Sequence, residues 1–91
     1  MGTTVNTQNP DNMNGFVIYP NPFTQQSTLY FEKDQKNTAI LICDFLGNQI
    51  SHVNFSGKQY MIERGDLSAG MYLVKTIDIN KNTQYKKILI K

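Results

Sequence analysis

The chain has 91 residues, which suffices for one small domain and leaves no room for a second hydrophobic core. Nine Lys and Arg against seven Asp and Glu give a net charge of +2, with no basic run beyond Lys86-Lys87, so nucleic-acid binding is unsupported. No apolar stretch approaches the roughly 18 residues of a membrane helix, and the single cysteine, Cys43, leaves the fold to depend on packing.

The first 15 residues differ in character from the rest. Thr3 to Asn14 is rich in Asn, Thr and Gln, which is typical of an interdomain linker, and it lacks the features of a secretory signal peptide. Met1-Gly2 is typical of a cloning remnant. We therefore expect a polar linker over residues 1–15 and one folded domain over residues 16–91, as a fragment of a longer protein.

Short runs rich in β-branched and aromatic residues alternate with Gly, Asn, Asp and Pro, which indicates an all-β fold. In chain order the predicted strands are Phe16 to Tyr19, Thr28 to Lys33, Thr38 to Asp44, Gln49 to Phe55, Gln59 to Glu63, Met71 to Ile79 and Gln84 to Lys91. Seven strands joined by short turns predict an antiparallel β-sandwich of two sheets, with a small barrel as the alternative.

Turn chemistry separates these runs. Pro20 and Pro22 stop the first strand because proline lacks an amide donor, and Gly47-Asn48 is typical of a hairpin. Asp34 to Asn37, Ser56-Gly57 and Asn80 to Asn82 are further predicted turns.

Alternation assigns inward residues in several strands. Leu29 with Phe31, Tyr60 with Ile62, and Tyr72 with Val74 and Thr76 each share a face. We expect Ile50 to point inward and Leu67 to plug the sandwich end. For residues 39–43 the pattern alone leaves the core face open.

The residues that could carry catalysis or bind metal are few and scattered. His52 has no acidic or thiol neighbour in a motif, and Cys43 lies inside an apolar run, so we interpret them as a surface histidine and a packed thiol. No spacing fits zinc or calcium, and we expect neither enzyme activity nor a cofactor or metal. Arg64-Gly65-Asp66 matches a short integrin-binding string but is interpreted as a strand-ending turn.

Four segments in order resemble one known family, the type A C-terminal sorting domains of the type IX secretion system. They are Tyr19 followed by Pro20, Asn21, Pro22 and Phe23; Asp44 with Gly47; Leu67 to Tyr72, which includes Gly70; and the closing strand Lys86, Lys87, Ile88, Leu89, Ile90 and Lys91. The resemblance covers residues 16–91. Cys43 departs from it, since an aromatic residue is common at that position.

The resemblance implies an immunoglobulin-like sandwich with Ile40 and Ile42 inward and Leu41 and Cys43 on the opposite face. It implies a sorting signal that directs an N-terminally fused cargo through the periplasm and across the outer membrane. The implied partners are the outer-membrane translocon and its shuttle and sortase components, and the sortase-like peptidase would remove the domain near the linker. The exported cargo would be secreted or held at the cell surface.

Each motif also has a purely structural interpretation, because Pro, Gly and Tyr in these places suit turns and core filling. For the strand Lys86 to Lys91 we favour recognition, since a terminal edge strand can be presented to a partner. The alternatives are a fibronectin-like or carbohydrate-binding module of a secreted enzyme, and a module that self-associates through the terminal edge strand.

Overall fold

The computed structural model describes residues 15–91, and this part of the chain is all-β. Five strands form one sheet: β1 Phe16–Tyr19, β2 Gln26–Asp44, β3 Gln49–Glu63, β4 Gly70–Ile77 and β5 Thr83–Ile90. The strand order is β1-β2-β4-β5, and β3 pairs with β2; all these pairings are antiparallel. The predicted linker over residues 1–15 lies outside the described residues, apart from Gly15.

Within residues 15–91 the structure contains no helix with the length and apolar character needed to cross a membrane.

The all-β antiparallel prediction is confirmed, but the predicted seven strands in two sheets are not, because residues 15–91 form five strands in one sheet. The second and third predicted strands are the two halves of β2, and the fourth and fifth are the two halves of β3. The turn predicted at Asp34 to Asn37 is part of β2. Register shifts between Tyr30 and Gln35 and between Gln35 and Thr38 absorb this polar segment as bulges.

These bulges explain how a single sheet encloses a core. The first half of β2 pairs with β1 and the end of β3, while its second half pairs with the start of β3 and with β4. The long strand therefore belongs to two half-sheets, and the curled sheet joins their inner faces in one cluster. Its buried members are Phe16, Phe23, Leu29, Phe31, Ile40, Ile42, Ile62, Tyr72, Val74, Ile88 and Ile90.

The burial pattern confirms most of the predicted faces. Ile40 and Ile42 are buried, while Leu41 and Cys43 are only half-buried on the opposite face, as the family resemblance implies. The inward assignments in the strands of Leu29, Tyr60 and Tyr72 also hold, and Leu67 packs partly buried against the core.

The inward assignment of Ile50 is wrong, since its side chain is 41% exposed. The reason lies in the register between β2 and β3. Inward Ile42 lies opposite Ser51, and inward Ile40 lies opposite Val53. The next pair is Cys43 with Gln49, so Ile50 is the extra residue of a bulge and has no partner residue on β2.

Candidate functional site at the end of the sheet

The Pro20 to Phe23 turn pairs with the last strand. The Nδ2 of Asn21 donates to the carbonyl of Lys87 at 3.1 Å, and the amide of Leu89 donates to the Oδ1 of Asn21 at 3.0 Å. The Phe23 amide donates to the Leu89 carbonyl at 3.0 Å, and the Lys91 amide donates to the Phe23 carbonyl at 2.9 Å. Phe23 and Ile90 thus form a short parallel bridge at the otherwise open edge of β5.

This pairing gives the residues of the turn distinct structural roles. Both the Tyr19-Pro20 and the Asn21-Pro22 peptide bonds are cis. The Pro20 carbonyl accepts the hydroxyl of buried Ser27 at 2.5 Å, and the Phe23 ring is 3% exposed. The turn therefore does more than end β1: on its way to β2 it also bonds to the last strand.

The last strand is consequently not a free edge over residues 87–91. Its recognition role was predicted on the premise that it is a free edge, and this premise is wrong. Ile88 and Ile90 are each 1% exposed, so the strand also belongs to the core. Over residues 86–91 the exposed residues are Lys87, Leu89 and Lys91, while Lys86 is half-buried. The Asn21 and Phe23 contacts occupy backbone groups on that edge, which leaves these side chains as its accessible groups.

Arg64 connects the loop after β3 to the chain segments on either side of it. Its Nη1 donates to the main-chain oxygen of Lys91 at 2.7 Å and to that of Thr24 at 3.2 Å, and its Nε donates to the Leu67 carbonyl at 2.8 Å. The amide of Leu67 donates back to the Arg64 carbonyl at 3.0 Å. The guanidinium is thus engaged within the domain, which agrees with the structural interpretation of Arg64-Gly65-Asp66. The strand-ending turn was predicted, but the contacts of the Arg64 side chain were not, because no local motif marks them.

The Leu67 to Tyr72 segment leads into β4. Tyr72 is 6% exposed and its hydroxyl donates to the Ser68 carbonyl at 2.7 Å, which satisfies the polar end of a buried ring. Gly70 has φ of +149°, and a Cβ added there would meet no atom within 4 Å. Glycine is therefore favoured at this position by backbone conformation and not by lack of space.

Asp44 organises the hairpin between β2 and β3. Its Oδ1 accepts the amides of Leu46 at 3.0 Å and Asn48 at 2.9 Å, and its Oδ2 accepts the Asn48 side chain at 3.1 Å. The pKa of the Asp44 carboxyl lies below its ordinary value, chiefly because the Asn48 amide donates to the ionised form. Gly47 has φ of +92°. The tip residues Phe45 and Leu46 are 71% and 74% exposed.

A second hairpin, between β4 and β5, repeats this geometry. The Asp78 Oδ1 accepts the amides of Asn80 and Asn82, both at 2.9 Å, and its Oδ2 accepts the Asn82 side chain at 3.1 Å. The Asn82 amide is the main reason that the pKa of Asp78 is also lowered. Lys81 takes the place of Gly47, with φ of +70°. The turn itself was predicted; the shared Asp-x-x-x-Asn spacing was the signal that would have shown the repeat.

Sheet register places all four family segments at one end of the domain. Asp44 lies opposite Tyr72, which lies opposite Ile88, and Gly70 lies opposite Ile90, the partner of Phe23. We call this end, with its hairpin Asp44 to Asn48, the motif end. The linker end is the opposite one, where Gly15 approaches the Gln84 side chain and the hairpin Asp78 to Asn82 lies.

The other candidate residues remain apart. His52 is exposed and lies opposite Leu41, while half-buried Cys43 lies opposite Gln49. Within residues 15–91, no three His, Cys, Asp or Glu side chains are grouped as they would be in a metal site.

The tyrosines considered for a glycan platform lie on different surfaces. Tyr30 points outward on the first half-sheet, Tyr60 packs partly buried against the core, and the ring of Tyr85 lies 5.6 Å from the Lys75 ammonium on β4. These three rings therefore do not form one sugar-binding surface.

Comparisons with known proteins identify relatives of this chain. The family model for the secretion system C-terminal sorting domain matches residues 17–91. An endo-acting ulvan lyase from Formosa agariphila is 33% identical over 75 residues, which cover 81% of this chain and 14% of that enzyme. The chain therefore spans about a seventh of the length of this curated relative.

The fold is similar to part of a solved structure. PorZ is described as an essential bacterial surface component of the type IX secretion system of Porphyromonas gingivalis. It matches with a TM-score of 0.73 at 17% sequence identity, over 87% of this chain and 12% of PorZ. At this identity the likeness concerns the fold. The match over residues 17–91 confirms the resemblance that the four segments indicated. The chain belongs to the secretion system C-terminal sorting domain family, whose role is that of a sorting signal.

Proposed function

We propose that this domain is the signal by which the type IX translocon selects an attached cargo protein for passage across the outer membrane. The family match over residues 17–91 carries this proposal. The domain acts as a folded address that another assembly reads, and it performs no chemistry of its own. The cargo reaches the cell surface or the medium by way of the periplasm.

The positions of the two ends suit such a role. A cargo joined before Gly15 extends from the linker end, where Gly15 lies beside Gln84. From Gln84 to Lys91 a β-strand advances about 23 Å, so an N-terminal cargo leaves the motif end accessible. The ulvan lyase relative, of which the matching region is 14%, supports a large fused enzyme as the type of cargo.

The recognition residues that we propose fall into two groups with different tasks. One group builds the motif end through turns, core packing and buried strand positions: Pro20, Asn21, Pro22, Phe23, Asp44, Gly47, Leu67, Gly70, Tyr72, Lys86, Ile88 and Ile90. The other group is exposed on the last strand and contacts the translocon directly: Lys87, Leu89 and Lys91. Substitution in the first group therefore affects folding and export together, whereas substitution in the second affects export alone.

After passage, we propose that a sortase-like peptidase removes the domain within the linker over residues 1–15. A polar segment with the composition of a linker gives a protease access that the hydrogen-bonded strands from Phe16 onward deny. The expected product is an exported cargo whose last residue comes from this segment, either released or held at the cell surface.

A reporter fusion tests the proposal. A fluorescent protein with an N-terminal signal peptide is joined to residues 1–91 and expressed in a type IX host and in the same host without the outer-membrane translocon. Reporter fluorescence in the medium or on the surface is expected only in the first host, and mass spectrometry of the exported reporter locates the cut. Reporter that remains in the periplasm of both hosts would contradict the sorting role.

A further inference from the structure

The hairpin Asp44 to Asn48 presents two large apolar side chains to solvent. Phe45 is 71% and Leu46 is 74% exposed, and they are the two most exposed of the large apolar side chains in residues 15–91. We call this pair the prong. Met71 on β4 and Leu89 on β5, directly opposite each other, are a further 44% and 42% exposed at the same end. A group of exposed apolar side chains of this kind marks an interaction surface.

The hairpin fold does not require an apolar residue at the position of Leu46. The hairpin Asp78 to Asn82 has the same hydrogen bonds and the same positive φ at its fourth residue. Where the first hairpin has Phe45, Leu46 and Gly47, the second has Ile79, Asn80 and Lys81, so the two tips differ in polarity at the third residue. Because Asn80 serves equally well at that position, the exposed Leu46 has no structural task in its own hairpin.

The prong is also held in a fixed position. The Asp44 carboxylate accepts the amides of Leu46 and Asn48 and the Asn48 side chain, which fixes the backbone that bears the two apolar residues. A partner that binds this tip therefore orders little additional chain. Such preorganised aromatic and aliphatic anchors suit a shaped pocket on a protein.

Charge near the prong specifies the partner further. Toward the motif end the outward face of β5 carries Lys87, opposite Leu73, and strands β4 and β5 contain no Asp or Glu. The Asp44 carboxylate at the base of the prong directs its oxygens to the Leu46 and Asn48 amides and to the Asn48 side chain. A surface of this composition is complementary to an apolar pocket with carboxylates at its rim.

We infer that Phe45 and Leu46 insert into an apolar, acid-rimmed pocket on a protein of the export machinery, with Lys87 facing the rim. This inference rests on the proposed sorting function and names the surface and the chemistry of its partner. It adds a contact on the hairpin tip to those of the last strand.

The test uses the reporter fusion of residues 1–91 with the double variant Phe45→Ser/Leu46→Asn. Its second change copies the residue that the other hairpin has at the same position. Export is expected to fall by about tenfold, as when an interface loses an anchor residue, while the melting temperature stays unchanged. The matched control Ile79→Ser, at the other tip, is expected to export as the unchanged fusion does.

Lys87→Glu, with Lys81→Glu as its control, is a second test that remains informative if the double variant has a lowered melting temperature. The charge reversal at Lys87 is expected to lower export severalfold, because it faces the acidic rim; Lys81→Glu is expected to have no effect. Normal export of both the folded double variant and Lys87→Glu would overturn the inference but leave the sorting function standing. Failure of the unchanged fusion to leave the periplasm would instead contradict the sorting function.

Two binding measurements separate this partner from other occupants. Purified residues 1–91 are floated with vesicles of phosphatidylethanolamine and phosphatidylglycerol, and their mass in solution is measured by sedimentation. The inference predicts no flotation and a monomer. Prong-dependent flotation would identify a lipid surface as the occupant, and a prong-dependent dimer would identify a second copy; either result would overturn the inference.

Discussion

The two Asp-x-x-x-Asn hairpins share one geometry but differ in what they display. In both, an aspartate carboxylate accepts two loop amides and an asparagine side chain, and the fourth residue has positive φ. One tip shows Phe45 and Leu46 to solvent, the other Ile79, Asn80 and Lys81. The hairpin geometry is therefore independent of tip chemistry, and tip residues are free to serve binding.

The two ends of the domain extend this contrast. At the motif end Asn21, Phe23 and Arg64 all bond to the last strand or its final residue, so distant parts of the chain meet. At the linker end the hairpin Asp78 to Asn82 is held by bonds within its own loop. We expect the motif end to be the more sensitive of the two to substitution.

The largest expected effect is that of Phe23→Ala. Removal of this 3% exposed ring should lower the free energy of unfolding by about 3–5 kcal/mol, because it leaves a cavity between the turn and β5. Phe45→Ala, the comparison at the exposed tip, should change it by less than about 0.5 kcal/mol. Urea unfolding measures both. Equal losses for the two phenylalanines would contradict the assigned burial.

A smaller loss is expected for Arg64→Ala. The change leaves the main-chain oxygens of Thr24, Leu67 and Lys91 without their donor, which should cost about 1.5–3 kcal/mol. The free energy of unfolding of Arg64→Lys should lie between those of Arg64→Ala and the native domain, because an ammonium cannot reproduce the several directed hydrogen bonds of a guanidinium. Hydrogen exchange should show faster opening at Lys91 in Arg64→Ala. Unchanged exchange at Lys91 would argue against a role of the Arg64 guanidinium in holding the end of the chain.

A reciprocal pair of changes compares the hairpins at their fourth residue. Gly47→Lys should destabilise the domain by about 1 kcal/mol, since φ of +92° disfavours a side chain. Lys81→Gly, at φ of +70°, should leave stability unchanged or raise it by less than about 1 kcal/mol. Thermal unfolding reports both. Stabilisation by Gly47→Lys would show that the two loops are not equivalent.

The smallest expected effect is the response to acid. The pKa values of Asp44 and Asp78 are lowered in the folded domain by amide donors. Each therefore contributes stability that is present above the unfolded pKa of about 3.9 and is lost as pH falls through the lower folded value. Amide chemical shifts of Asn48 and Asn82 in an acid titration should move together. A shift confined to one hairpin would contradict their equivalence.

Local patterns predicted much of this structure, and contacts between distant residues account for what they missed. Alternation identified the inward faces of Leu29, Tyr60 and Tyr72, and Gly47-Asn48 marked a hairpin. The polar segment before Thr38 has the composition of a turn, but pairing with β3 holds it in the sheet as bulges.

The same limit applies to the motif end. The Asn21 contacts span 66 and 68 residues, and those of Arg64 with Thr24 and Lys91 span 40 and 27 residues. Such contacts depend on sheet register, which turn and strand signals alone do not specify. The family resemblance identified the four segments, and the register shows why they occur together.

Truncation of the last strand is a poor test of recognition, because Ile88 and Ile90 are core residues. The most direct measurement is the exported fraction of two reporter fusions with matched surface changes, one at each end. Lys87→Glu/Leu89→Ser alters the motif end, and Ile79→Ser/Lys81→Glu alters the linker end. Export should be about tenfold lower for the first variant and unchanged for the second, with equal melting temperatures. Equal export of both folded variants, or loss for the second alone, would contradict recognition at the motif end.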